Sequence, residues 1–368
     1  MPKTLVILDR HIAETTDRGS AATKGAIRSS RIARGSKRPL LPLGSRLVML
    51  ILFGLLAGSL TSAWGNDTGD ESAQEAPSPS VATQVAPAED TPGVVLRRAI
   101  DGNEYTVYIP KVEPVGILVI VHGTPRPDDV IIELSERFLR RWTAFAEVNR
   151  LIAISPAFAV SDFGGRSDGL PFGGYRGLVG RTIRADELLH RIIDRHSDRI
   201  ADFDGKFYLY GFSAGGQFTS RYIVTHPERI KAAIVCAAGA FAFPHPNRRW
   251  PNGMRPATAT ITANGSRVRV TPNADGWLEA ATLPVTVLVG AKDDELQGSR
   301  YGKLTRVDLA KRWVDEMNRL AEESGRRGKV TFDLVDGVGH ASAPLTPRTQ
   351  EAFRKMGLRL PADEIGDQ

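Results

Sequence analysis

The sequence predicts an α/β protein whose mostly parallel, doubly wound sheet carries helices on both faces. From Val94 onward, apolar runs that resemble buried strands alternate with stretches of helical periodicity. Repeated strand–helix units favour a parallel sheet, because each crossover helix returns the chain to the same end of the sheet. A second observation is Gly-Phe-Ser-Ala-Gly at residues 211–215, a Gly-x-Ser-x-Gly spacing that joins one such strand to a helix.

The predicted elements follow in a regular order, beginning with an antiparallel strand at 104–110. The later strands are 116–123, 151–156, 206–211, 231–239, 285–290 and 329–337, and the helices are 133–149, 183–197, 217–224 and 307–323. A small insertion is expected after residues 231–239, taken as the sixth strand of the sheet. It contains a predicted hairpin with an Asn-Gly turn at Asn264 and Gly265.

The first 93 residues differ in composition from the rest. Residues 1–46 form a basic tail with ten Lys/Arg against three Asp/Glu, read as a cytoplasmic tail or a misassigned start. This surplus exceeds the net charge of +6, so the remaining chain is near neutral and nucleic-acid binding is not favoured. Residues 47–65 have the pattern of a signal peptide or signal anchor, with 47–64 as a possible membrane tether.

Residues 66–93 are acidic and rich in Pro, Ala and Ser, and they predict a disordered linker before a catalytic domain at 94–368. This arrangement predicts an exported protein, either periplasmic or extracellular, or one held at the membrane by an uncleaved segment. The single cysteine, Cys236, lies in an apolar run and is expected to be a buried strand residue. One thiol offers neither an internal disulfide nor a cysteine-based metal site.

Three polar residues directly follow predicted strands in the order Ser213, Asp293, His340. A serine hydroxyl needs a base to accept its proton, and the base needs a carboxylate to orient it. Because the carboxyl ends of parallel strands meet at one edge of the sheet, we expect these three side chains to form a catalytic triad. The backbone N–H groups of Ala214 and Thr124 are the predicted oxyanion donors.

Each position has competitors in the sequence. Asp294 and Glu295 adjoin Asp293, and Asp336 precedes the histidine, where a turn role is expected. His245, in the insertion, is the alternative base. The other histidines have structural expectations: packing or loop bracing for His122, a solvated helix face for His190 and His196, a helix end for His226, and a place outside the domain for His11.

The segment from Val94 onward resembles the α/β-hydrolase superfamily in the sequences "VHGT", "GFSAGG", "VGAKDDE" and "GVGHASA". The double glycine of "GFSAGG" resembles the motif of secreted esterases of the polyhydroxybutyrate-depolymerase and feruloyl-esterase branch. The resemblance implies a Ser–His–Asp hydrolase, most simply a carboxylic ester hydrolase acting on a small or polymer-linked ester, with no metal or organic cofactor. A peptidase or acyltransferase with the same triad, and a non-catalytic binding protein of this fold, stay open as alternatives.

Two stretches are expected to border the substrate pocket. The glycine-rich loop after residues 151–156 offers Phe172 and Tyr175, and the insertion offers Phe243 and Trp250. Aromatic rings of this kind form apolar or sugar-stacking walls. The competing interpretation is that they pack the two stretches onto the domain.

Overall fold

The computed structural model describes residues 90–165, 170–260, 267–270, 276–296 and 303–361. The predictions for residues 1–46 and 47–65, and for the linker up to residue 89, lie outside this part of the chain. Asp90 is described, and its carboxylate accepts hydrogen bonds from Arg98 at 2.7 Å and Arg199 at 3.0 Å. Residues 90–93, predicted to end the linker, are therefore attached to the domain.

Eight strands form one sheet in the order β1-β2-β4-β3-β5-β6-β9-β10. These strands are β1 (Val95–Ile100), β2 (Asn103–Tyr108), β3 (Gly116–Val121), β4 (Leu151–Pro156), β5 (Phe207–Phe212), β6 (Ile230–Cys236), β9 (Val285–Gly290) and β10 (Val330–Val335). β2 pairs antiparallel with both β1 and β4, whereas the strands in the order β4-β3-β5-β6-β9-β10 pair in parallel. The predicted doubly wound α/β architecture is confirmed.

Helices cover both faces of this sheet. They are α1 (Ile131–Arg140), α2 (Thr143–Val148), α3 (Val160–Phe163), α4 (Ala185–Ser197), α5 (Ala214–Thr225), α6 (Gly276–Thr282), α7 (Arg306–Glu323) and α8 (Ser342–Lys355). One core layer joins α4, α5, α6 and α7 to the sheet, and the other joins α1, α2 and α8. Alternate residues of β3 enter opposite layers, as the two-residue period of a strand requires.

The insertion follows β6, as predicted, and includes an antiparallel pair, β7 (Ala257–Thr260) and β8 (Arg267–Val270). The predicted Asn264-Gly265 turn between them lies outside the described residues. Within the described ranges, no helix has the length and apolar character needed to cross a membrane.

Two local predictions are corrected, and one strand was missed. The helix expected over 133–149 is two helices, separated at Arg141 and Trp142. The helix expected from Gln217 begins at Ala214, directly after the serine. β1 was not predicted, because it is an edge strand whose arginines interrupt the apolar pattern.

Candidate active site

Ser213 occupies a strained turn between β5 and α5. Its φ and ψ are 54° and −108°, a conformation that a residue with a side chain adopts only when its surroundings enforce it. A Cβ added at Gly215 would collide with the carbonyl oxygen of Val121, and one at Gly211 with that of Gly215. The two glycines therefore let α5 start close enough to the sheet to hold the serine at this edge.

Three side chains from separate loops meet at the carboxyl edge of the sheet. The His340 Nε2 lies 2.9 Å from the Ser213 Oγ, and the His340 Nδ1 lies 2.6 Å from the Asp293 Oδ2. Ser213 follows β5, Asp293 follows β9 and His340 follows β10. The carboxylate accepts a hydrogen bond from the Nδ1–H, which leaves the unprotonated Nε2 to accept a hydrogen bond from the serine hydroxyl.

Asp293 is buried, whereas Asp294 and Glu295 are exposed. Its second oxygen, Oδ1, accepts a hydrogen bond from Nε of the buried Arg306 at 2.8 Å. Burial alone would raise the pKa of Asp293, but hydrogen bonds from His340 and Arg306 outweigh it and lower the pKa below its usual 3.8. The carboxylate is therefore ionised at neutral pH and oriented through both oxygens.

Arg306 was not predicted from the sequence. It is the first residue of α7, where a positive charge opposes the helix dipole. Its guanidinium also donates to the Ala237 carbonyl at 3.3 Å and to Glu295 at 2.7 Å. An arginine at the start of a helix is unusual and was the only local sign of a special role for Arg306, but it does not indicate that the partner is Asp293.

The loop after β3 is held by a buried, neutral His122. Burial lowers the pKa of His122 to about 4, and its Nε2 accepts the Phe158 N–H at 3.3 Å. The protonated Nδ1 then donates to the Gly123 carbonyl at 2.7 Å, and the Tyr175 hydroxyl donates to the same oxygen at 3.1 Å. The bracing role expected for His122 agrees with these contacts.

The predicted oxyanion donors lie near the serine. A Cβ added at Gly123 would be 3.5 Å from the Ser213 Cβ, so this loop lies against the turn, and the next residue is Thr124. Ala214 is the first residue of α5, and its N–H is one of the four that a helix leaves without an internal acceptor. The oxyanion role of Ala214 and Thr124 stays a prediction.

An open cleft of ≈ 900 Å³ contains both Ser213 and His340. Its larger apolar side chains are Leu134, Phe138 and Phe212. The Phe212 ring lies 5.0 Å from the His340 ring, centroid to centroid. The charged part of the lining is Arg126, Asp129, Arg137 and Arg141.

Three of the four aromatic residues predicted to border the pocket are buried in the core instead, and the fourth, Phe172, is partly buried against it. Tyr175, Phe243 and Trp250 are only 1%, 1% and 2% exposed, and Phe172 packs against the same apolar cluster. Tyr175 stacks on Phe158 at 4.9 Å, and the Trp250 indole donates to the Gly177 carbonyl at 3.3 Å. Their rings stabilise the glycine-rich loop and the insertion, so the competing packing interpretation is the correct one.

The other histidines have structural partners. His245, the rival base, pairs with Glu316 at 2.9 Å, and His226 ends α5 and binds Asp186 at 2.8 Å. The solvated helix face predicted for His190 and His196 is wrong. His196 is fully buried against the Tyr105 hydroxyl, and His190 binds the Tyr222 hydroxyl.

Cys236 is buried, as predicted. Among the described residues, no group of three His, Cys, Asp or Glu side chains could hold a metal ion.

The sheet order and the strained strand–turn–helix serine define an α/β-hydrolase fold, and the expected resemblance is confirmed at the level of fold. Poly(aspartic acid) hydrolase-1 from Sphingomonas sp. KT-1 is 17% identical, with 71% of this chain and 98% of that chain covered and a TM-score of 0.55. The poly(3-hydroxybutyrate) depolymerase LpqC from Bordetella parapertussis is 19% identical, with 74% and 93% covered and a TM-score of 0.55. No family model and no curated protein matches the sequence.

Proposed function

We propose that this chain is a serine hydrolase that cleaves carboxylic esters through an acyl-enzyme intermediate. The proposal rests on one observation. Hydrogen bonds link the Ser213 hydroxyl to the His340 imidazole and the imidazole to the Asp293 carboxylate, and Ser213 and His340 line an open cleft. A hydroxyl within 2.9 Å of an oriented imidazole nitrogen has a base available for its proton.

In the proposed reaction, the Ser213 Oγ attacks the ester carbonyl while the His340 Nε2 takes the hydroxyl proton. Asp293 stabilises the imidazolium that forms, since its ionised carboxylate accepts a hydrogen bond from the Nδ1–H at Oδ2. The imidazolium then protonates the leaving alcohol, and the acyl group stays on Ser213. A water molecule then attacks the acyl carbon while His340 takes its proton. The bond to the Ser213 Oγ breaks, the acid leaves, and His340 returns the proton to the serine oxygen.

The tetrahedral intermediates carry a negative oxygen, which the Ala214 and Thr124 N–H groups are proposed to bind. The bonds from His122 and Tyr175 fix the Gly123 carbonyl and therefore the orientation of the following amide. Donors held in place before the reaction stabilise the charge without reorganising.

The ester assignment is supported by LpqC, which is described as a poly(3-hydroxybutyrate) depolymerase. The similarity to poly(aspartic acid) hydrolase-1 supports the peptidase alternative, in which the same residues cleave an amide. A panel of p-nitrophenyl esters, aminoacyl anilides and acyl acceptors separates ester hydrolysis, amide hydrolysis and acyl transfer.

The test of the function is labelling and turnover of the full chain. A fluorophosphonate probe is expected to label Ser213, and Ser213→Ala is expected to lower turnover of a p-nitrophenyl ester by about 10⁴ to 10⁶. Ser161→Ala, which removes an exposed serine on α3, is the matched control and keeps both activities. Absence of both labelling and turnover would leave the non-catalytic alternative, whereas equal turnover by Ser213→Ala would refute Ser213 as the nucleophile.

We also propose that the protein is exported, with residues 47–65 as a cleaved signal peptide or an uncleaved membrane anchor. The basis is the sequence alone: a basic flank, an uncharged apolar run and small residues after it. N-terminal sequencing of the protein recovered from the periplasm and from the membrane fraction distinguishes the two forms. Recovery of the intact chain from the cytoplasm alone contradicts export.

A further inference from the structure

The cleft beside Ser213 is lined by more positive than negative charge. Arg126, Arg137 and Arg141 line it together with one carboxylate, Asp129. Arg137 binds that carboxylate at 2.9 Å. Within the described part of the chain, neither Arg126 nor Arg141 forms an ion pair with a carboxylate.

Arg141 is the more confined of these two arginines, because Arg126 is exposed and Arg141 is partly buried. It follows the last residue of α1, at the break that separates α1 from α2. Its guanidinium lies over the Phe138 ring, 5.1 Å from the centroid. Its Nη1 donates to the Ser342 Oγ at 2.8 Å.

The Ser342 contact places Arg141 beside the proposed base. Ser342 begins α8 and follows His340 by two residues, and both line the cleft. The guanidinium is therefore held from two sides, by the Phe138 ring and by the Ser342 hydroxyl. Burial lowers the pKa of the Arg141 guanidinium below its usual value, which reflects a charge removed from water without a compensating carboxylate.

A partly buried guanidinium without an anionic partner loses hydration that a ligand carboxylate can replace. Arginine has five N–H donors in a planar fork that matches the two oxygens of a carboxylate, and Ser342 occupies one of these donors. The apolar side chains Leu134 and Phe138 line the same cleft and suit a short aliphatic or aromatic segment.

We infer that Arg141 binds a carboxylate of the substrate, so that the esters cleaved at Ser213 carry a free acid group in their acyl or alcohol part. This inference rests on the proposed function and specifies its substrate class. Arg126 adds a positive field at the cleft but is too exposed to fix an anion. The same field attracts anionic esters more strongly at low ionic strength.

The experiment compares matched ester pairs that differ only in charge. On the acyl side the pair is p-nitrophenyl hydrogen glutarate and its methyl ester. On the alcohol side it is 4-carboxyphenyl acetate and its methyl ester. The wild-type chain is expected to prefer the anionic member of at least one pair, with a preference that falls as salt is added.

Arg141→Met removes the charged guanidinium and keeps an unbranched apolar side chain. It is expected to lower kcat/KM for the preferred anionic ester by about 10- to 100-fold, as the loss of a hydrogen bond to a charged group does. The neutral member should change by less than about threefold. Arg140→Met is the matched control, because it removes the same charge from the neighbouring residue. Arg140 is exposed and pairs with Glu136.

A second measurement needs no variant. Glutarate is expected to inhibit turnover of the neutral ester competitively, whereas the uncharged glutaramide is not. Equal inhibition by the two compounds, or no anionic preference in either pair, overturns the inference while the function stands. If the chain hydrolyses neither member of any pair, the proposed function fails, and a thermal shift by glutarate over glutaramide decides the Arg141 site alone.

Discussion

Arg306 holds two carboxylates that differ in burial, and this difference predicts an asymmetric effect of substitution. Its side chain is 6% exposed, that of Asp293 is 1% exposed and that of Glu295 is 69% exposed. Arg306→Met removes the partner of a buried carboxylate, whereas Glu295→Gln removes an exposed partner from the same guanidinium. The two variants therefore compare a buried and an exposed ion pair at one residue.

The expected magnitudes follow from that burial. Unit charges about 4 Å apart at an effective dielectric constant of about 20 attract by about 4 kcal/mol. Removing one member of a buried pair typically costs about 3 to 5 kcal/mol, because the other charge is left unpaired. We expect a loss of this size in the free energy of unfolding for Arg306→Met, and less than about 1 kcal/mol for Glu295→Gln.

The destabilisation caused by Arg306→Met should depend on pH, because the charge of Asp293 does. The pKa of Asp293 in the folded chain lies below its usual 3.8, so its contribution to stability is present above that pH and is lost as the pH falls through the folded pKa. Without Arg306, burial acts with less opposition and the pKa of Asp293 rises. The stability difference between wild type and Arg306→Met should therefore be largest near pH 7 and shrink toward pH 4.

The assay is urea unfolding followed by tryptophan fluorescence, which suits a chain with four buried tryptophans in its described part. Turnover of a neutral ester is measured on the same samples, and Arg306→Met should lower kcat because Asp293 loses the anchor on Oδ1. The reasoning is refuted if Arg306→Met is within 1 kcal/mol of wild type, or if Glu295→Gln is equally destabilising.

Three further predictions concern the elbow, a buried imidazole and the insertion. Gly215→Ala should destabilise the domain by about 3 kcal/mol or more in thermal unfolding, since the new methyl group meets backbone atoms, whereas Gly102→Ala, at an open turn, should lose about 1 kcal/mol. Burial lowers the pKa of His196 to about 4, so its stabilising effect is present above about pH 6.5 and falls by about 3 kcal/mol as the pH drops to 4. His196→Gln should reduce the pH dependence of the urea-derived free energy of unfolding over that range, and an unchanged slope would contradict the assignment. Trp250→Phe should lower the unfolding temperature and leave kcat/KM unchanged; a selective loss of kcat/KM would restore the substrate-wall interpretation.

The arrangement of the site was predictable because it depends on regular structure. Ser213 directly follows β5, and Asp293 and His340 lie in the loops after β9 and β10; parallel pairing brings such positions to one edge. The glycine spacing around Ser213 added a local constraint that only a close strand-to-helix turn explains. Chain order and strand ends were therefore sufficient to place three distant side chains near one another.

The walls of the cleft could not be predicted in the same way. Phe172 and the two residues after it have positive φ or otherwise non-helical angles, and a single sequence does not reveal which way such a loop turns its rings. Arg141 enters the cleft because a helix breaks after Arg140, within a stretch whose periodicity predicted one continuous helix. The contact of Arg306 is with a residue 13 positions earlier, and the sequence between them has no periodicity that would indicate it.

β10 is the outermost strand of the sheet and pairs only with β9 in the described fold, yet the loop that carries His340 directly follows it. Fraying of that border would withdraw the imidazole while the central strands around Ser213 keep their amide protons protected from exchange. Under the proposed function, activity would then be lost on heating before most of the secondary structure unfolds. Resistance to thermal inactivation would depend on the stability of this one edge strand.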